Sequence, residues 1–268
     1  MGTLILAVTT LFLYSIGTAL QALSFRGRVH TSIAIVTLVG TLALTSHGAL
    51  IWDTIQSHGA LNFGFFQSSV LISWLIVALL LILNLRKPLQ NLFLCIYPLA
   101  GLTVIFNLIF HSPPRFVAED NWGMMSHIAL SITAYSLFTL AAAQALLLYI
   151  QNRQLKQNYN SLLVRNLPPL QTMESLLFEL VWAGVILLVL AITTGALFVN
   201  DLFAQHLVHK TVFSLVSLVV FVALLVGRYT QGWRGITASR WTLAGCLLLM
   251  IGFYGSKFVL ELIFNRGF

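Results

Sequence analysis

The chain has 268 residues, 59% of them hydrophobic and 8% charged, with a formal net charge of +7. An average soluble domain is roughly a quarter charged, and no soluble core of this length hides so much apolar surface, so a water-soluble protein is excluded. The apolar runs are too long for the alternating ten-residue strands of an outer-membrane barrel. The basic residues sit in short loops between these runs, which excludes a nucleic-acid-binding patch.

A spanning helix needs about 20 mainly apolar residues. Eight stretches meet that requirement, at 2–23, 31–52, 67–85, 91–110, 123–151, 171–199, 210–228 and 241–263. The first has no positive region before its apolar run and no small-residue cleavage site, so it reads as a retained helix and not a removed signal. The fifth and sixth exceed the bilayer and should tilt or project into water. No repeat, low-complexity tract or soluble domain interrupts them. The expected fold class is an all-α integral membrane protein, a single bundle of about eight transmembrane helices forming one domain over 1–268.

Orientation follows from the basic residues. Ten of the 14 (Arg26, Arg28, Arg86, Lys87, Arg153, Lys156, Arg165, Arg228, Arg234 and Arg240) fall in the loops after helices one, three, five and seven. The other side holds Arg115, Lys210, Lys257 and Arg266. The odd-numbered loops are therefore expected in the cytoplasm and both termini outside. The glycine- and arginine-rich turn "GRYTQGWRGITASR" (227–240) is accounted for by this orientation. His30 is then cytoplasmic, while His47, His58, His111, His127, His206 and His209 lie on or near the external side.

His47 precedes Trp52 by five residues, about 7–8 Å below the interface that the tryptophan marks. Gly40 and Ala43 share its face, and such a small-residue face turns His47 into the bundle and away from lipid. His127, Ser131 and Tyr135 make a polar stripe through helix five. His206, Lys210, Ser214 and Ser217 make another into helix seven, while His209 leans towards Phe213, Val216 and Val220. Ionisable groups at such depth point to function. Neutral imidazole ligates iron, zinc or copper and is the usual axial ligand of b-type haem. There is no HExxH, and Asp53, Asp201 and the Glu119/Asp120 pair are read as loop residues. Haem in an apolar slot therefore suits the chain better than a hydrolytic metal.

The remaining features point to packing. Cys95 and Cys246 stand alone within apolar spans as small core residues; without CxxC or CxxCH, neither disulfide exchange nor covalent haem is expected. Lys257 and Glu261 are spaced to pair with each other. Glu179 needs a partner that the sequence does not identify. No GxxxxGK[ST] loop is present to hydrolyse ATP.

The segments "SHIALSITAYSLFTLAAAQALLLYIQNRQLK" (126–156), "LPPLQTMESLLFELVWAGVILLVLAITTGALF" (167–198) and "GWRG" (232–235) resemble the CcsA/CcmC/ResC-type cytochrome c assembly proteins, multi-helix haem-handling proteins of bacterial and organellar membranes. The likeness runs through helices two to eight and is nearest to the short YpjD-like inner membrane group. It implies that His127 matches the external histidine that ligates haem and that His47 is similar to the transmembrane histidine of helix two in longer members. The chain departs from the family where haem-presenting members carry a tryptophan-rich WWD segment leading into Asp-Pro-Lys-Glu. "LFAQHLVHKT" (202–211) stands there instead, without tryptophan. The second external histidine of longer members has no counterpart in "ELIFNRGF"; either His206 or His209 supplies an outer ligand in its stead, or the segment has decayed into an ordinary polar turn.

The expectation is a non-enzymatic haem-binding or haem-handling protein of the bacterial inner membrane. It would hold haem b non-covalently through His127, His47, His206 and His209 on the periplasmic side and pass it to an acceptor or assembly partner protein. Lipid is its other partner, and nucleic acid is none. Two alternatives stand: a scaffold or accessory subunit that kept the fold and lost haem, and an electron-transfer protein with resident b-haem.

Overall fold

The computed structural model describes residues 2–27, 32–58, 62–110, 122–157, 166–198, 208–255 and 258. Among these, eight helices are long and apolar enough to cross a membrane. They are α1 (Gly2–Phe25), α2 (Ile33–His58), α3 (Phe65–Asn84), α4 (Phe93–Ile109, led by a 3-10 turn at Gln90–Leu92), α5 (Trp122–Gln157), α6 (Leu170–Phe198), α7 (Val208–Thr230) and α8 (Gly235–Met250). A π turn, Ile251–Gly255, continues α8.

The spans fall where apolar length predicts them, and the differences have local causes. The second helix runs on to His58, so Asp53 is helical and not a loop residue; its carboxylate accepts the Thr3 hydroxyl at 2.6 Å. A hydrophobic run marks what enters lipid, whereas the backbone hydrogen-bond ladder continues beyond it. The 36 residues of α5 and the 29 of α6 reach about 54 and 44 Å at 1.5 Å per residue, well beyond a hydrocarbon layer of about 30 Å. The eighth helix begins six residues before its apolar run, at Gly235.

The chain forms two compact units, 1–117 and 118–268. In the first, α1 packs on α2, α2 on α3, α3 on α4, and α4 closes on α1. In the second, α5 to α8 close the same cycle. Because lipid tails are as apolar as leucine, helices in a bilayer associate through close packing at small residues and through hydrogen bonds between helices. Both devices are present. In the first unit Tyr97 of α4 is slotted against Gly17 of α1 and Gly40 of α2. A Cβ at Gly17 would lie 2.6 Å from the Tyr97 ring, and one at Gly40 would meet its hydroxyl. Hydroxyl pairs Thr10–Ser46 (2.8 Å) and Ser73–Thr103 (2.7 Å) join α1 to α2 and α3 to α4. The Trp74 indole donates to the Leu44 carbonyl at 3.0 Å.

In the second unit four helices meet in one stack. The rings of Phe138 (α5) and Phe221 (α7) lie parallel, with centroids 4.1 Å apart. Gly184 of α6 is pressed on Phe138, and Gly245 of α8 on Phe221; a Cβ at either glycine would lie 2.8 or 2.7 Å from ring carbon. Bonds to main-chain carbonyls tie the same helices. Ser217 donates to Gly245 at 2.6 Å, Cys246 to Phe138 at 3.2 Å, and Tyr135 to Leu249 just before the π turn. Cys246 is thus a buried core residue, as its sequence context suggests.

The turn between α7 and α8 is a built structure, and orientation alone does not account for it. Gly232 and Gly235 adopt φ of 66° and 55°, the left-handed region that favours glycine. Gly227 lets Trp233 fold back onto α7, and Arg228 donates to the Trp233 carbonyl at 3.3 Å while its guanidinium sits 4.7 Å over the Phe178 ring. The Glu174 carboxylate of α6 accepts the Gly235 amide at 2.7 Å, satisfying a donor that opens α8 and opposing the positive end of its dipole. That bond explains why α8 starts early.

Gly184→Val or Gly245→Val should lower the Tm in detergent, an overpacking loss of about 1–3 kcal/mol. Gly101→Ala should be neutral or stabilising, because the nearest atom to its Cβ is Leu11 Cδ2 at 3.7 Å. Glu174→Ala should cost about 1 kcal/mol at this partly exposed cap, with Glu174→Gln retaining most of it, read by the same thermal unfolding.

Candidate functional site

His127 lies in the second turn of α5 and is half-buried. Its ring rests on α6 at Gly195, where a Cβ would come within 2.9 Å of Cε1 and 3.0 Å of Nδ1. This closeness lets Nδ1 reach the Ala191 carbonyl at 2.7 Å. A carbonyl oxygen can only accept, so Nδ1 carries the hydrogen and Nε2 the free electron pair. Among the described residues Nε2 has no hydrogen-bond partner. Gly123 holds the preceding turn equally close to Phe198. An imidazole with Nδ1–H tied to a backbone carbonyl and Nε2 left open is the arrangement that metal-ligating histidines use.

His47, on α2 in the first unit, is 0% exposed. Gly40 and Ala43, on its face, are buried too, as the small-residue spacing predicts. Its Nδ1 pairs with the Tyr14 phenol of α1 at 2.9 Å, and its Nε2 is buried without a partner. Tyr14 in turn lies against Tyr97, ring centroids 5.4 Å apart. In each unit, then, one histidine has Nδ1 bonded and Nε2 without a hydrogen-bond partner among the described residues.

The other predicted positions divide three ways. His209 is exposed in the first turn of α7, on a face with the exposed Val212, Val216 and Val219, and no bond joins it to His127. His206, His30, His111, Lys257, Glu261, Asp201, Glu119 and Asp120 lie outside the described residues. Tyr135 and Ser217, read in the sequence as parts of polar stripes, spend their hydroxyls on the carbonyls of α8. Glu179 is exposed on α6. Among the described residues no three His, Cys, Asp or Glu side chains gather into a metal-holding group. What the sequence did not reveal is which groups hold the two imidazoles. Tyr14 carries no signal there beyond one aromatic in an apolar helix, and Ala191 acts only through its backbone. Gly195, inside "ITTGALF", was the one legible signal, a glycine where a neighbour must come close.

The family model described as cytochrome c assembly protein matches residues 35–264. The chain belongs to the cytochrome c assembly protein family. Inner membrane protein YpjD of Escherichia coli strain K12 is 29% identical over 265 residues, covering 97% of this chain and 99% of YpjD. An uncharacterized 28.8 kDa protein in the nifR3-like 5' region of Azospirillum brasilense is 36% identical over 146 residues, 51% of each chain. Protein HemX of Brevibacillus brevis is 27% identical over 134 residues, 49% of each. No solved structure matches. This member of the cytochrome c assembly family thus has the eight apolar helices of a multi-pass membrane protein and is similar over nearly its whole length to an inner membrane protein.

The contact at Gly195 is directly testable. Gly195→Val should drive the His127 ring off the Ala191 carbonyl and cost about 1–3 kcal/mol by overpacking, measured by thermal unfolding. His127→Ala in the same background should relieve part of that loss, because the clashing ring is gone.

Proposed function

We propose that this cytochrome c assembly family member binds and hands on haem, with His127 as its principal ligand. The observation that carries the reading is the contact of His127 Nδ1 with the Ala191 carbonyl, which places the hydrogen on Nδ1, with Nε2 unengaged among the described residues. Haem iron accepts an electron pair from such a nitrogen. His127 would hold the group through this one nitrogen, on a half-buried ring next to the close contact of α5 with α6. The chain's own part is to orient the imidazole through Gly195 and Ala191 and to keep the ligand nitrogen free of competing bonds.

Haem b held in this way is cargo, not a resident group. Affinity must then be moderate, since a carrier that holds too tightly cannot release. No bond in the cargo is made or broken, so the protein acts as a non-enzymatic carrier. By the placement of its basic loops the ligand faces the periplasm, where an acceptor or assembly partner protein would take the haem. His47, in the first unit, is a further candidate ligand. His206 and His209 remain candidates at the opening of α7, of which His209 has the less favourable position, on an outward face.

One observation favours a second reading, a scaffold that has lost haem: His47 is sealed on all sides, so reaching its Nε2 requires neighbouring side chains to part. The spectrum of the protein purified in detergent, before and after adding haem, separates the two. The haem reading expects a Soret band that His127→Ala removes or weakens by more than roughly 100-fold in affinity, beyond the usual effect of a second-shell change. A colourless protein that added haem does not reconstitute would establish the scaffold.

A further inference from the structure

Tyr14 and His47 form a sealed polar pair. Tyr14 is 1% exposed and His47 0%, with the phenol oxygen 2.9 Å from Nδ1 and the rings edge to face, centroids 5.8 Å apart. Nε2 has no partner, and the phenol has no hydrogen-bond partner except His47 among the described residues. A neutral imidazole carries one hydrogen on its two nitrogens, and a phenol carries one of its own. Only two arrangements keep the bond. If the phenol donates to Nδ1, the imidazole hydrogen sits on Nε2 and is the one group left unsatisfied. If Nδ1–H donates to the phenol oxygen, the phenol hydrogen and the Nε2 lone pair are both left unsatisfied. A buried polar group without a partner is costly, so the first arrangement prevails.

We propose that Tyr14 is a positioning residue that holds His47, in the haem-free protein, in the tautomer with hydrogen on Nε2. This is the opposite of His127, whose carbonyl partner leaves Nε2 open. The two histidines therefore differ in readiness. The His127 ring is set for ligation at all times. At His47 an iron–Nε2 bond can form only as the Nε2–H bond breaks. The proton passes to Nδ1, and the hydrogen bond to Tyr14 reverses so that the phenol oxygen accepts. Protons balance within the pair, and the phenol hydrogen is left without its acceptor. Ligation at His47 is thereby made conditional and readily reversed, as a hand-over site requires. This consequence rests on the haem reading above; the tautomer itself does not.

The test uses the full-length, haem-free chain in detergent, labelled with 15N-histidine, and reads which ring nitrogen bears hydrogen from two-bond 1H–15N correlations. His47→Gln assigns the His47 signals, and His127→Gln assigns those of His127. The expected wild-type spectrum has His47 hydrogen on Nε2, favoured by about tenfold or more, and His127 hydrogen on Nδ1. Tyr14→Phe should collapse the His47 preference to within about twofold, since each tautomer then leaves one donor and one acceptor unsatisfied. Tyr97→Phe, which alters a ring packed on Tyr14 but no bond to His47, should leave it unchanged. Hydrogen on Nδ1 of His47 in the wild type would overturn the proposal, even if the variants failed to fold. So would a Tyr14→Phe spectrum like the wild type, or an equal shift in Tyr97→Phe. The expected spectrum in a protein that binds no haem would refute the haem reading and leave the tautomer assignment standing.

Discussion

The packing of both units depends on aromatic side chains closing directly against glycine. In water, helices are pressed together because their apolar faces escape solvent. In lipid that drive is absent, and only contacts better than those with acyl chains hold a bundle together. A phenyl ring against a bare helix backbone makes such a contact, because dispersion falls steeply with distance and a missing Cβ brings many atoms into range at once. Tyr97 between Gly17 and Gly40, and Phe138 with Phe221 between Gly184 and Gly245, apply the same rule in each unit.

The close approach has a chemical consequence. Once helices nearly touch, side chains reach backbone carbonyls across the interface. Ser217 and Tyr135 do so at α8, Cys246 of α8 does so at α5, and His127 does so at α6. The first three fasten the bundle. The fourth also fixes which nitrogen of an imidazole is available, so a packing device sets the chemistry of a candidate ligand. His47, whose partner is an amphoteric phenol and not a carbonyl, receives a weaker instruction from its surroundings.

Much of this was legible in the sequence because lipid imposes a simple length rule. The number, order and placement of the spans follow from apolar runs of about 20 residues, and the inward aim of His47 followed from Gly40 and Ala43 on its face. The end of α2 was not legible because its backbone ladder runs on past the apolar stretch, and the start of α8 was not because Glu174 caps it from outside the apolar run. Tyr14 was hidden for a different reason: a tyrosine in a greasy helix has the same pattern whether its hydroxyl is idle or bonded. The stripe of Ser217 and Tyr135 was visible as polarity, but periodicity cannot distinguish a lining from a fastening.

The sandwich of Gly184, Phe138, Phe221 and Gly245 also constrains how this lineage can drift. Its four members come from four different helices, and the thickness of the pile is fixed by two ring widths and two bare backbones. A bulkier residue at either outer position is admissible only after a ring within has been traded for something thinner. The intermediate with one change and not the other carries either a clash or a void. Substitution at these sites is therefore expected to proceed in matched pairs separated widely in sequence, an evolutionary ratchet arising from nothing more than the thickness of a benzene ring.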